Sequence, residues 1–363
     1  MSHRMQRAGL ALALATPLSL FAFVGSASAD SGHDRESSTI YTETNAATGN
    51  AVIAIHTHAG SPTTTRSYRT GGRGSGAGLG SQGALVVADG RLVAVNAGSN
   101  EVSLFTVRGD GRLQLDDTEP SGGVGPISVT VHDDVTYVLN AGNHTVSGFR
   151  LRHDRLVPIA GSTHALPGSG AAQISFDATG TRLVVTEKAT STIDVLPVRD
   201  GVAGDAASNP STGQTPFGFA IDRHNTVIVS NAAGGAAGAS SVSSYRFSGA
   251  AGVAPISSAV ADTQSAACWV ALSGNGRYAF TTNAGSGSIS SYQVGLDGSL
   301  TLANAVAASP GAGPNDMIET AGTLFTLNNG SHTITAHAIG TDGSLTSVTA
   351  VTVPAGVAGL AAA

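Results

Sequence analysis

Cysteine is almost missing from this chain. Cys268 is the only one in 363 residues, so no disulfide can form within the chain and stability has to come from packing. Lysine is as scarce: Lys188 is the single copy, and any lysine chemistry must happen there. Charged residues make up 12% of the chain, about half the usual share of a globular domain. The formal net charge of −6 lacks the basic excess that a nucleic-acid partner demands, so none is expected. No segment after Asp30 approaches the ~18 uninterrupted apolar residues of a membrane span. No window sustains a 3.6-residue apolar period, so helices should be few.

The first 29 residues carry their own pattern. His3, Arg4 and Arg7 precede an apolar run, Ala8–Val24, and Ala27-Ser28-Ala29 follows as a small-x-small cleavage signal. This reads as a secretory signal peptide, which predicts a secreted mature chain, extracellular or periplasmic. Residues 30–38 are polar and read as a flexible lead-in to one domain over residues 39–363.

What the chain has in abundance is repetition. "LVAVNAGSNEVSLFTV" (Leu92–Val107) is echoed by "YVLNAGNHTVSGFRL" (Tyr137–Leu151) and "YAFTTNAGSGSISSYQV" (Tyr278–Val294). Taking the Asn of each unit as a marker gives Asn45, Asn96, Asn140, a variant at Glu187, then Asn231, Asn283 and Asn328. The gaps are 51, 44, 47, 44, 52 and 45 residues. Each unit divides into short runs rich in Val, Ile, Thr and aromatics between Gly, Asn and Asp turns. Seven copies at that period predict an all-β, seven-bladed β-propeller with four-stranded blades.

The first unit starts without an inner strand, and the chain ends on "VPAGVAGLAAA" (Val353–Ala363), an inner strand without a blade. Placing the last strand inside the first blade closes the ring, and a monomer is expected.

In such a blade, the turns between second and third strands share one face with the linkers to the next inner strand. The Asn-Ala-Gly turns and the starts Gly125-Pro126 and Gly313-Pro314 should therefore ring one mouth of the central channel. Repetition marks Asn96, Asn140 and Asn283 as turn formers, because Asn tolerates a left-handed backbone and Gly supplies positive φ. Function is then sought where the pattern breaks.

The clearest break is "VVTEKATSTI", with Glu187 at the marker and Lys188 beside it. A carboxylate there is a candidate general acid/base or holder of a substrate hydroxyl, and a surface Glu–Lys neighbour pair is the plain alternative. The inner-strand starts also vary, supplying Gln82, Ser128, Gln173, Phe217, Cys268, Trp269, Asn315 and Asp316. A few polar groups among apolar ones suit a small-molecule ligand at the channel mouth, although such groups also cap a channel with water. Cys268 has no nearby His and reads as a buried thiol. Trp269 serves either as a ligand platform or as core.

Other patterns carry less. Gly78-Leu-Gly80-Ser-Gln-Gly83 fits G-x-G-x-x-G, but a strand follows it rather than a helix, so no dinucleotide is implied and no cofactor is expected. The segment "GGRGSGAGLGSQG" reads as a flexible loop. His56 and His58 share a strand face without a third ligand at metal spacing, so no metal is expected. Arg66, Arg69 and Arg73 form a small basic cluster without an evident use. Asn143-His-Thr145 and Asn329-Gly-Ser331 fit the glycosylation sequon.

"YVLNAGNHTV", with an inner strand after Gly-Pro, resembles the Tyr-Val-Thr-Asn repeat. The whole pattern resembles the lactonase family of seven-bladed propellers, which includes bacterial 6-phosphogluconolactonase and carboxymuconate lactonizing enzyme. "GSQGALVV", "TEKATSTIDV", "TPFGFAID" and "AACWVAL" are similar to a secreted bacterial branch. In the family, a Gly-Pro-Arg-His inner-strand start precedes a strand ending in Asn-Glu. Here the Glu is kept as Glu187, while Gly170-Ala171-Ala172-Gln173 replaces the basic pair. Arginine there would suit phosphate or carboxylate. The resemblance thus implies a lactonase-like hydrolase or cycloisomerase for a neutral ligand, with Glu187 as acid/base. A non-catalytic binding or cell-surface propeller is the rival.

Overall fold

The computed structural model describes residues 37–363; the expected signal peptide and most of the lead-in lie outside the described residues. Seven antiparallel sheets form the blades. Blades 2 to 7 begin with the inner strands Leu85–Ala88, Pro126–His132, Ala171–Phe176, Pro216–Ile221, Ala267–Leu272 and Pro314–Thr320. Each continues outward in chain order. In blades 3 and 4 the outer edge is split between two short strands. Among the described residues the sole helical segment is one short 3-10 turn, Ala233–Gly235.

Blade 1 is assembled from both ends of the chain. Its order runs Ser61–Arg69, Ala51–His58, Ser38–Glu43 and then the C-terminal strand Ala358–Ala362 on the inside. Ring closure by the last strand is therefore as the sequence implies.

Burial explains why this sequence makes blades. The second strands Val135–Asn140, Thr226–Asn231, Tyr278–Asn283 and Thr323–Asn328 are buried at every position, because each sheet is covered on both faces by its neighbours. Outer strands such as Leu345–Thr352 are instead half-buried or exposed at every position. Apolar clusters sit between adjacent blades. Val93, Val95, Val102 and Leu104 of blade 2 meet Val129, Val138 and Phe149 of blade 3. The cluster at the seam joins Phe325, Leu327 and Ile334 of blade 7 to Ile40, Ile53, Ile55 and Leu360 of blade 1.

The second-to-third-strand turns and the interblade linkers do share one face. Gly142 N donates to Val124 O at 2.8 Å, Ala189 N to Ser169 O at 3.0 Å and Gly330 N to Ala312 O at 2.9 Å.

Candidate functional site: the channel mouth and the break in blade 4

The marker asparagines do more than form turns. In blades 2, 3, 4 and 7 positive φ falls four residues after the marker, at Asn100 (60°), His144 (53°), Ser191 (54°) and His332 (54°), so these markers keep strand geometry. Their side chains point into the fold and are fully buried. In blades 2, 3, 5, 6 and 7 the marker amide donates to a hydroxyl on the third strand. Asn96 Nδ2 reaches Ser103 Oγ at 2.7 Å, and Asn140 reaches Ser147 at 3.3 Å. Asn231 reaches Ser243 at 2.9 Å, Asn283 reaches Ser290 at 2.8 Å, and Asn328 reaches Thr335 at 3.1 Å. A linker glycine covers the amide in several blades. A Cβ at Gly72, Gly123 or Gly213 would come within 2.4, 2.5 or 2.2 Å of Cγ of Asn96, Asn140 or Asn231.

Blade 4 puts two carboxyl groups in this arrangement. Glu187 takes the amide position and Asp194 the hydroxyl position, seven residues on as in Asn96/Ser103 and Asn140/Ser147. Glu187 has no exposed surface, and Gly168 covers it, since a Cβ there would lie 2.5 Å from Glu187 Cγ. Neither Glu187 oxygen has a hydrogen-bond partner, and nor does Asp194 Oδ2. Burial, with the Asp194 charge adding to it and Lys188 opposing, pushes the Glu187 carboxyl up to about 8. Burial raises Asp194 too, against hydrogen bonds from Ser208 and the Gly168 amide.

Blade 1 holds a second carboxyl at the same station. Strand register equates Glu43 with the markers: Glu43 pairs with Ala358 as Glu187 pairs with Ala171. Asn45 lies two residues beyond, in the turn, with φ of 46°. Glu43 is fully buried and its Oε2 accepts from Asn50 Nδ2 at 3.1 Å, while burial raises its carboxyl well above the usual range. The Asn in "TNAATGN" masked this glutamate in the sequence. Asp194 was legible, because Asn-x6-Ser/Thr recurs in blades 2, 3, 6 and 7.

The inner-strand residues converge on the channel, and the protein itself uses most of their polar atoms. Gln173 clasps the backbone of Phe219 in the next blade, donating to its O at 2.9 Å and accepting from its N at 2.7 Å. Ser128 Oγ donates to Gln82 O at 2.7 Å. Gln82 crosses the channel from blade 2 to blade 6, giving Nε2 to Val270 O at 3.0 Å and taking Val270 N at 3.3 Å. Trp269, 4% exposed, donates Nε1 to Ser81 O at 3.0 Å. Cys268 is buried, its thiol donates to Ala266 O, and burial pushes it up to about 12. Asn315 Oδ1 accepts from Asn329 N at 3.4 Å, and Asp316 accepts from Met317 N and from Leu360 N of the closing strand.

The end of the glycine-rich segment is therefore not a free loop. Residues 80–82 are tied to blades 3, 4 and 6 through Ser81 Oγ to Ile127 O, Lys188 Nζ to Gly80 O, Gln82 N to Ala172 O and the Trp269 indole. They lie across the channel mouth. Lys188 Nζ also sits 4.6 Å above the half-buried Phe217 ring, which packs on Trp269 at 5.0 Å. Burial lowers the Lys188 ammonium, with Cys268 and Glu187 opposing.

The histidines of the first blade stay apart from this group. His56 bonds Thr39 and His58 bonds Ser37. A cleft of about 210 Å³ lies at the opposite rim, lined by Asp222, Arg223, His224, Asn275 and Arg277, and no expected site residue reaches it. Among the described residues no helix is long and apolar enough to cross a membrane.

Seven sheets, the mixed first blade and the linker-capped mouth define a seven-bladed β-propeller. The resemblance read from the sequence is supported over part of the chain: residues 230–357, from the end of the second strand of blade 5 through blade 7, match the family model for "Lactonase, 7-bladed beta-propeller". No curated protein matches the sequence. Among solved structures, a protein from Lactobacillus plantarum is similar at TM-score 0.70 and 17% identity, covering 90% of this chain and 99% of its own. A candidate 6-phosphogluconolactonase from Bacteroides fragilis gives 0.69 and 17%, covering 90% and 98%. The periplasmic gluconolactonase of Pseudomonas aeruginosa gives 0.64 and 14%, covering 90% and 98%. At these identities the likeness is one of fold.

Proposed function

We propose that this protein is a secreted lactonase-like propeller acting on a neutral lactone, with Glu187 as the group that transfers the proton. The observation that carries the reading is the Glu187 carboxyl, raised to about 8, next in the chain to the one lysine, whose ammonium lies over the Phe217 ring that packs on Trp269. Strongly perturbed titrating groups cluster at functional sites, which favours chemistry at this one. In hydrolysis, water would add to the acyl carbon and the ring C–O bond would break. Glu187, protonated at neutral pH, would give its proton to the departing ring oxygen, and the proton lost by the water would restore it.

Lys188 is the cation beside this carboxyl, and it is already engaged with Gly80 O and the Phe217 ring. That favours a neutral ligand over a phosphorylated one. Phe217, Trp269, Gln82, Gln173, Ser128, Cys268, Asn315 and Asp316 would shape the mouth. Because residues 80–82 cover it and Gly168 covers Glu187, substrate access requires those segments to shift.

The rival reading is a propeller that binds without catalysis. One observation favours it: Glu187 has no exposed surface. A panel of neutral lactones assayed with wild type and Glu187→Gln separates the two. Catalysis predicts turnover by wild type and a loss of about a hundredfold or more in the variant. Equal turnover, or none by either, removes the catalytic role.

A further inference from the structure

We propose that Glu187 and Asp194 share one proton, forming a buried acid pair in place of the amide–hydroxyl bond of other blades, with Asp194 positioning Glu187. In blades 2, 3, 5, 6 and 7 the link is made by an amide N–H donating to a hydroxyl. Two ionised carboxylates at those positions bring no donor and repel each other where water is excluded. Three of their four oxygens lack a partner, so the donor the site requires is a proton on one of them.

The surroundings decide which carboxyl keeps it. Asp194 Oδ1 accepts from Ser208 Oγ, and the Gly168 amide also turns toward Asp194. Glu187 has neither kind of support. The proton therefore resides on Glu187 and Asp194 is its carboxylate partner. The charged groups acting on Glu187 are Asp194 and Lys188, and Cys268 acts in turn on Lys188. Ala171 and Gly168, from the inner strand and linker packed against Glu187, carry no charge.

The kinetic part of this inference rests on the lactonase reading; the proton itself does not. The test is infrared titration from about pH 5 to about pH 10, following the carbonyl band of protonated carboxyl groups. The control is Glu187→Asn combined with Asp194→Ser, which installs the pairing the fold already uses elsewhere. Wild type minus this double variant should show one protonated carboxyl at neutral pH, lost with a midpoint near 8. Asp194→Asn should lower that midpoint by about one unit or more, because it removes a facing negative charge. A purely structural Asp194 would leave the midpoint unmoved. No carboxyl band in the difference spectrum, or an unmoved midpoint, overturns the proposal. With an active lactone, Asp194→Asn should move the alkaline limb of kcat by the same amount. If no lactone is turned over, the functional reading fails while the infrared result stands on its own.

Discussion

At Gly218 one missing side chain is answered from across the channel. The equivalent residues of blades 3, 4, 6 and 7 are Ser128, Gln173, Trp269 and Asp316, two residues into each inner strand. Gln173 clasps the backbone of the following blade, and in blade 5 Gln82 supplies that clasp to Val270 from the far side. The glycine makes the space: a Cβ at 218 would lie 2.3 Å from Gln82 Oε1 and 2.7 Å from Cys268 O. Gly218→Ala should therefore cost about 2 kcal/mol, read as a lowered Tm in thermal melts. An unchanged Tm would show that Gln82 and the Cys268–Trp269 backbone can both give way. Sequence marked Gln82 as a departure from the repeat but not its use, since its partners are distant in the chain.

At the scale of the element, a strand-end link recurs around the ring and its chemistry changes in blade 4. Its recurrence was legible in the spacing, as was the exception at Glu187. The burial of the side chain was not, because a marker beside a turn reads as surface until the linker glycine above it is placed. Glu43 was hidden for a related reason: Asn45 continued the pattern in letters, while register gave the position to the residue two steps earlier.

The exchange has a consequence for stability against pH. The folded state keeps a proton on Glu187 up to about 8, whereas the unfolded chain releases it near the ordinary glutamate value. Between those two values the folded state binds more protons, so stability falls as pH rises. The slope from one such group is at most about 1.4 kcal/mol per pH unit. Urea melts across this window should show a flatter decline for the Glu187→Asn, Asp194→Ser double variant than for wild type. Parallel curves would place the titration elsewhere, for example at Glu43 or Asp316, which burial also raises.

For the whole molecule, closure depends on the last strand. Ala358–Ala362 lies inside blade 1, packs Leu360 into the seam cluster, and gives Leu360 N to Asp316 Oδ2 at 3.0 Å. Burial pushes the Asp316 carboxyl up to about 7, while the amides of Met317, Leu360 and Gly83 oppose that rise. Sequence offered Asp316 as a ligand contact; its geometry also fits a clamp on the ring. Asp316→Ala leaves the Leu360 and Met317 amides unpaired and should cost about 2–3 kcal/mol, with faster hydrogen exchange at Leu360. Unaltered exchange there would show that packing alone holds the strand. Blade number and closure could be counted from spacing and from the unmatched ends. The plug at residues 80–82 could not, because it joins blades far apart in sequence.

The lactonase reading meets its most direct test in the pH dependence of lactone turnover by wild type and Glu187→Gln. If Glu187 supplies the proton, wild-type kcat falls above about pH 8, as the carboxyl ionises, and the variant is slower by about a hundredfold or more at neutral pH. Turnover by Glu187→Gln equal to wild type, with the same pH profile, would contradict it.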